Sequence, residues 1–317
     1  MEANLRWAAV TAIAPVAWGS TYLVTHRFLP PDHPLYGAAI RALPAGLLLL
    51  LVARKLPRGS WWWKSLVLGT LNMGAFFALV YLAAQTLPTS IASTVMATSP
   101  VVMMLFAWAA LAERPRVTHL AGACVGIGGV CLLLLDGTAA VDAAGVLASV
   151  LAMVMSSLGY VLAKRWSQGI DVFSLTSWQL VAGGAVLVPV AVAVEGPPPP
   201  LDGPTLLGFG YLTVVATALA CAAWFQGLRH LSAGTVGLIG LLNPLTGVLL
   251  GTALAGETLT PQQLAGLVLV VLGILLGQPA AARLLSRRSR PRAAAHATGP
   301  GPGDKAVTAP ASGRHRC

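Results

Sequence analysis

The chain has 317 residues, 56% of them hydrophobic and only 9% charged, where an ordinary soluble domain carries roughly 25% charged residues. With a mean hydropathy of +0.76, this composition excludes a disordered chain, a disulfide scaffold and a soluble enzyme, because a water-soluble fold of this size needs far more polar surface. A net charge of +10 ordinarily points to nucleic acid, but here the basic residues sit in short loops and in the tail, so they read as topogenic charge at a lipid bilayer, and no nucleic-acid partner is expected.

In chain order, ten apolar runs are expected as helices near 7–27, 35–53, 64–84, 90–112, 117–135, 143–163, 172–194, 205–226, 232–254 and 261–281. Each is close to the roughly 20 residues that a helix needs to cross the hydrocarbon core. The first lacks a small-residue cleavage site and reads as an anchor that stays. The connections are short and marked by turn signals such as Arg114-Pro115, Asp136-Gly137 and Pro197 to Pro200. Residues 283–317 open with Arg283, Arg287, Arg288, Arg290 and Arg292 and continue in Ala, Gly and Pro. They read as a disordered basic tail.

Lys and Arg set the orientation. With the N-terminus in the cytoplasm, the inner segments hold Arg6, Arg54, Lys55, Arg58, Lys64, Arg114, Arg116, Lys164, Arg165, Arg229 and the tail, leaving Arg27 alone outside. Both termini are therefore expected in the cytoplasm of a multi-pass protein of the bacterial cytoplasmic (inner) membrane. Glu113 adjoins Arg114 in an inner turn and reads as solvated. Cys124, Cys131 and Cys221 lie in apolar runs with no CxxC or Cys/His cluster, so neither a disulfide nor a metal site is expected.

The sequence also repeats itself. At an offset of 144, Leu87 matches Leu231, Pro100 matches Pro244, Glu113 matches Glu257 and Gly129 matches Gly273; earlier in each half the offset is 138, pairing Tyr22 with Tyr160, Arg41 with Gln179 and Gly46 with Gly184. Each half holds five helices, and since five is odd the second half must enter from the opposite side. The expected fold is all-α, with ten transmembrane helices as two inverted five-helix repeats, residues 1–136 and 142–282, followed by the tail. Inverted repeats of this kind are typical of secondary transporters.

The run Trp18-Gly19-Ser20-Thr21-Tyr22 resembles the opening of the EamA family in the drug/metabolite transporter superfamily. Each half also closes in that family's manner, with Pro100, Ala112-Glu113, Ala121-Gly122 and Gly129, then Pro244, Gly256-Glu257, Ala265-Gly266 and Gly273. Ala112 departs from the usual Gly, which reads as a small change. Further runs, among them Arg41 to Gly46 and Leu56 to Trp63, look like a branch of pigment (indigoidine-type) exporters. The resemblance implies a ten-helix fold and the movement, often outward, of small metabolites.

Arg41 is the one clearly charged side chain inside a run, roughly 9 Å from its end at 1.5 Å per residue. Burying it costs about 2.5–3.5 kcal/mol on insertion scales. It reads either as a cation facing a cavity and a substrate's anionic or carbonyl group, or as a residue snorkelling to the surface beside Asp32. Pro100 and Pro244 are expected as hinge or gating kinks that free the carbonyls of Met96 and Gly240. The other candidate substrate-binding residues are Trp18, Ser20, Tyr22, Asn72, Tyr81, Tyr160, Trp178, Gln179, Trp224 and Asn243, whose rings and amides suit a small organic molecule. Trp61, Trp62 and Trp63 read as an interfacial belt. The GxxxG pairs Gly122/Gly126 and Gly273/Gly277 pack either the two repeats or two protomers, the second alternative being a homodimer.

No P-loop and no HExxH motif occurs, so neither ATP hydrolysis nor zinc hydrolysis is expected, and the chain reads as a non-enzyme without a cofactor. The expected function is that of a secondary transporter exporting a small metabolite or drug-like compound by alternating access. The alternatives are an importer, a channel, or a membrane protein that transports nothing.

Overall fold

A computed structural model describes residues 2–28, 33–86, 94–134, 142–255 and 259–278 of the chain. Among these residues every regular element is a helix: α1 (Glu2–Phe28), α2 (Pro34–Ala53), α3 (Trp61–Gly69), α4 (Ala75–Thr86), α5 (Ser99–Leu111), α6 (Val117–Leu134), α7 (Ala143–Trp166), α8 (Val172–Glu195), α9 (Gly203–Thr213), α10 (Ala220–His230), α11 (Ala233–Gly240), α12 (Leu242–Ala255) and α13 (Pro261–Leu276). Among the described residues nine stretches are long and apolar enough to cross a bilayer, and α13 is a shorter apolar helix. The basic tail and Glu257 lie outside the described residues.

Two expected helices are not uniform. A π-helical segment, π1 (Thr70–Gly74), joins α3 to α4, and a second, π2 (Val214–Leu219), joins α9 to α10. A π segment packs one more residue into a turn and frees backbone groups from the regular ladder, which is why such segments gather at functional sites. Thr70 and Val214 begin these segments 144 residues apart, which is the offset of the sequence repeat.

The prolines sit differently from expectation. The helix before each is already broken, at Ala97–Thr98 and at Leu241, again 144 residues apart. Pro100 occupies the first turn of α5, where a missing N–H costs nothing. Thr98 closes the break by donating both its amide (3.1 Å) and its hydroxyl (2.7 Å) to the Val95 carbonyl. The helix after the first break packs on the helix before the second, since a Cβ on Gly237 of α11 would lie 2.9 Å from the Pro100 Cα.

In lipid, helices gain little from hydrophobicity and associate through close packing of small residues. The tightest approaches join one half of the chain to the other. A Cβ on Gly129 of α6 would lie 2.6 Å from the Val270 nitrogen and 2.7 Å from the Gly266 carbonyl of α13, while Gly273 faces the Gly122 carbonyl at 2.6 Å. Gly46 and Gly184 do the same for α2 and α8. The GxxxG faces are therefore filled within one chain, which removes the surface that argued for a homodimer.

Ala112 is more than a small departure. It ends α5 with φ 56° and ψ 22°, in the left-handed region, which costs an L-residue roughly 1–2 kcal/mol and glycine almost nothing. Ala112→Gly is expected to stabilise the protein by about 1 kcal/mol, read as a higher midpoint of thermal unfolding in detergent. An unchanged or lower midpoint contradicts the strain.

Side chains cap several helices. Asp171, at the start of α8, accepts from the Ser174 amide (2.9 Å) and hydroxyl (2.8 Å) and pairs with Lys55 at 3.1 Å. Partial burial pushes its carboxyl upward, but the Ser174 hydrogen bonds and the Lys55 charge outweigh it, and the net pKa lies below the usual carboxylate range. A carboxyl lowered by folding stabilises the fold above its unfolded pKa, near 3.9, and that contribution fades as pH falls through the folded value. Asp171→Asn keeps a capping oxygen but loses the charge, and is expected to cost about 0.5 kcal/mol at pH 7 and to flatten the acid limb of a stability profile below about pH 4. An acid limb that keeps its wild-type slope would sink this assignment.

Candidate functional site

Arg41 projects from the second turn of α2, and its head turns inward rather than toward the surface. Its Nε donates to Thr217 Oγ1 at 2.9 Å and an Nη to the Ala216 carbonyl at 3.2 Å. Both acceptors belong to π2, near the middle of the Gly203–His230 span, and both are buried. The guanidinium also lies 5.3 Å from the Phe77 ring centroid of α4, a cation–π contact. Snorkelling to the interface is therefore corrected, and Asp32, the partner it required, lies outside the described residues. The half-buried Arg41 is in neither of the two ion pairs found among the described residues.

The Ala216 carbonyl has a second donor, Trp18 Nε1 of α1, at 3.1 Å. Beyond Trp18 stands an aromatic group. Trp224 of α10 is centred 5.2 Å from Trp18 and 5.4 Å from Tyr160 of α7, and Tyr160 lies 6.0 Å from Phe225. Among the described residues the buried Trp224 indole N–H has no acceptor and the buried Asn243 side-chain oxygen of α12 has no donor. The Asn243 backbone carbonyl touches the helix of Trp18, 2.6 Å from where a Cβ on Gly19 would be. Ser20 donates to the Ala17 carbonyl (2.8 Å), so the 2.6 Å contact with Tyr211 of α9 is a donation by Tyr211. Helices of both halves thus converge on one region holding Trp18, Ser20, Arg41, Tyr160, Trp224 and Asn243.

The other candidates lie apart. Asn72, in π1, donates to Gln179 Oε1 of α8 at 2.8 Å, both residues being sealed from solvent. This pair is the counterpart of the Arg41 contact. Gln179 is the repeat partner of Arg41, and Asn72 stands 144 residues before Ala216. Trp178 donates to the Lys55 carbonyl at 2.8 Å and packs on Trp61 at 5.4 Å. Its place at the end of the bundle makes it a fastening of α2 to α8. Trp61 is accordingly half-buried against Trp178, while Trp62 and Trp63 are exposed as a belt requires. The backbones of Tyr22 and Tyr81 lie in α1 and α4, and their side chains fall outside the described residues.

Glu113 is corrected from solvated to engaged. It pairs with Lys164 of α7 at 2.6 Å and accepts from the Ala233 amide at the start of α11 at 3.0 Å. Lys164 also donates to the Leu231 carbonyl at 2.6 Å. A cavity of 190 Å³ adjoins this cluster, lined in part by Met104, Glu113, Arg116 and His119. At the same end His230 stacks on Trp7, centroids 3.7 Å apart. Thr217, Phe77 and Tyr211 escaped the sequence reading, which took Lys164 only as topogenic charge. Only the repeat offset, which maps Asn72 onto Ala216, carried a signal for any of this group.

A bundle of apolar helices long enough to cross a bilayer, with polar groups meeting on non-regular backbone, defines a multi-pass membrane protein. The EamA-like transporter family matches the chain twice, over residues 5–135 and 143–277. The chain belongs to that family. It is 37% identical over 279 residues to protein PecM of Dickeya dadantii, covering 87% of this chain and 93% of that one. It is 28% identical to the uncharacterized inner membrane transporter YedA of Escherichia coli, covering 82% and 87%. The uncharacterized transporter YvbV of Bacillus subtilis is also 28% identical, with coverage of 86% and 91%. One crystal structure shares the fold with a TM-score of 0.75 at 20% identity, covering 89% of this chain and 98% of its own.

Proposed function

We propose that this protein is a secondary transporter of the bacterial inner membrane that moves a small metabolite or drug-like compound outward by alternating access. In this reading residues 1–136 and 142–282 are inverted five-helix repeats. The observation that carries it is the recurrence of the same two devices, a π segment and a broken proline-bearing helix, at an offset of 144 residues. Two halves with the same deformable elements can exchange conformations, so that a central site opens first to one side and then to the other. The names of YedA and YvbV as transporters support the reading.

By the positive-inside rule the end bearing Lys55, Arg114 and Lys164 faces the cytoplasm. That end is fastened by Glu113–Lys164, Lys55–Asp171 and the Trp7–His230 stack, and the Asn72–Gln179 pair nearer to it is sealed. Its counterpart at Arg41 is half-open. The conformation is thus read as closed to the cytoplasm, with Pro100 and Pro244 beside the breaks that would hinge it.

The test compares extracellular metabolites, without preselection, between cells expressing the protein and cells carrying an empty vector. A compound class that accumulates outside only with the protein supports export. Equal profiles, together with uptake of compounds into right-side-out vesicles that depends on the protein, overturn export in favour of import.

A further inference from the structure

The two matched polar contacts differ in charge. On one side Gln179, a neutral amide, accepts from Asn72 and donates to the Leu175 carbonyl, while the Asn72 side-chain oxygen is buried with no donor among the described residues. On the other, the equivalent position holds Arg41, whose cation meets, among the described residues, the neutral oxygens of Ala216 and Thr217 and the face of Phe77. A guanidinium has five N–H donors, and the two hydrogen bonds here leave one Nη without a protein acceptor among the described residues. Holding a cation in the membrane interior without an anion is costly, and proteins commonly pair it or aim it at a cavity. A hydroxyl and a carbonyl do not neutralise the charge.

The surroundings of the charge say what completes it. Trp18 shares the Ala216 carbonyl with Arg41, which ties the cation to the ring group of Trp18, Trp224 and Tyr160. Trp224, 3% exposed, holds an indole N–H with no acceptor among the described residues. Among the described residues the region therefore offers one cation without an anion, one unpaired neutral donor, the unpaired amide oxygen of Asn243 and apolar ring surface. The ligand chemistry complementary to this set is an acceptor-rich anionic group on an apolar body.

We propose that the central site takes an organic anion, its carboxylate or equivalent group on Arg41 and its apolar body along Trp18 and Phe77. The inference rests on the transporter reading for its physiological sense, but the binding step stands alone. Arg41 is the specificity-determining residue. Its charge selects the anion, and its bonds to π2 couple occupancy to the segment that deforms.

The experiment uses the full-length protein in lipid nanodiscs and two probes of the same shape, trans-cinnamate and the neutral trans-cinnamamide, titrated by calorimetry. Wild type is expected to bind cinnamate at least about tenfold more tightly than the amide. Arg41→Lys is expected to keep the preference and Arg41→Gln, which copies the equivalent Gln179, to abolish it. The thermal midpoint of each variant separates lost selectivity from lost fold. Equal affinity for the two probes in wild type overturns the proposal, as does an anion preference that survives in folded Arg41→Gln. The two readings fail separately. If cells export only neutral or cationic compounds through the protein, transport stands and the anion assignment falls. If cinnamate binds through Arg41 and no compound crosses the membrane in either direction, the site stands and the transporter reading falls.

Discussion

Lys164→Met is expected to open the Arg-rich end of the bundle. Lys164 carries two roles at once, an ion pair with Glu113 and a hydrogen bond to the Leu231 carbonyl, each at 2.6 Å. Fully exposed pairs contribute roughly 0–1 kcal/mol, and breaking a fully buried one costs about 3–5 kcal/mol. With side-chain exposures of 16% and 28%, this pair falls between, at about 1–3 kcal/mol. In Lys164→Met the carboxylate keeps the Ala233 amide, where the start of α11 favours negative charge. In Glu113→Gln the cap and the pair are both weakened, so that variant is expected to be the more severe. The readout is labelling by a water-soluble maleimide of Met104→Cys, a buried position lining the adjoining cavity, with Cys124, Cys131, Cys221 and Cys317 changed to alanine. Lys164→Met is expected to raise the labelling rate by about tenfold, the equivalent of 1.4 kcal/mol. A folded variant that labels no faster than its Lys164 parent contradicts the latch.

Gly129→Ala is expected to be among the most damaging single-methyl changes, and Gly128→Ala to be harmless. Both glycines lie in α6, where alanine favours the helix by about 0.8–1 kcal/mol. At Gly128 a Cβ meets nothing within 4 Å, so the propensity gain stands. At Gly129 it would lie 2.6 Å and 2.7 Å from backbone atoms of α13. Backbone cannot rotate aside as a side chain can, so α6 and α13 must separate. Overpacking costs about 1–3 kcal/mol, occasionally more, and in lipid the lost contact is the attraction itself. Thermal unfolding in detergent is expected to place Gly129→Ala about 2 kcal/mol below wild type and Gly128→Ala at or above it. Equal midpoints for the two variants would remove the close approach from the account.

Arg41 shows where the line between sequence and structure falls. Its presence in an apolar run, its depth and its pairing with Gln179 were all legible, because they are properties of spacing. Whether its head faced the surface or the centre was not legible, because Thr217 lies 176 residues away and reaches it only after π2 shifts the helix face. The reading of Glu113 as solvated failed for a similar reason. Its neighbour in sequence is Arg114, but its partners are Lys164 and Ala233, set beside it by the packing of three helices. Trp178 is a binding candidate by its ring chemistry, yet its indole is taken by the Lys55 carbonyl 123 residues away.

By itself the sequence determined the membrane class, the places of the apolar runs, the expected orientation and the repeat offset. Apolar length and loop charge act locally on each segment as it meets the bilayer, so they can be summed along the chain. Tertiary structure alone decided the π segments, the early breaks before Pro100 and Pro244, and the filling of the glycine faces within one chain. An extra residue in a helical turn leaves hydropathy unchanged, and a glycine's use depends on which backbone lies 3 Å away. Those choices are made when the apolar helices, each free to turn on its axis, find the one arrangement in which their small faces and few polar groups meet.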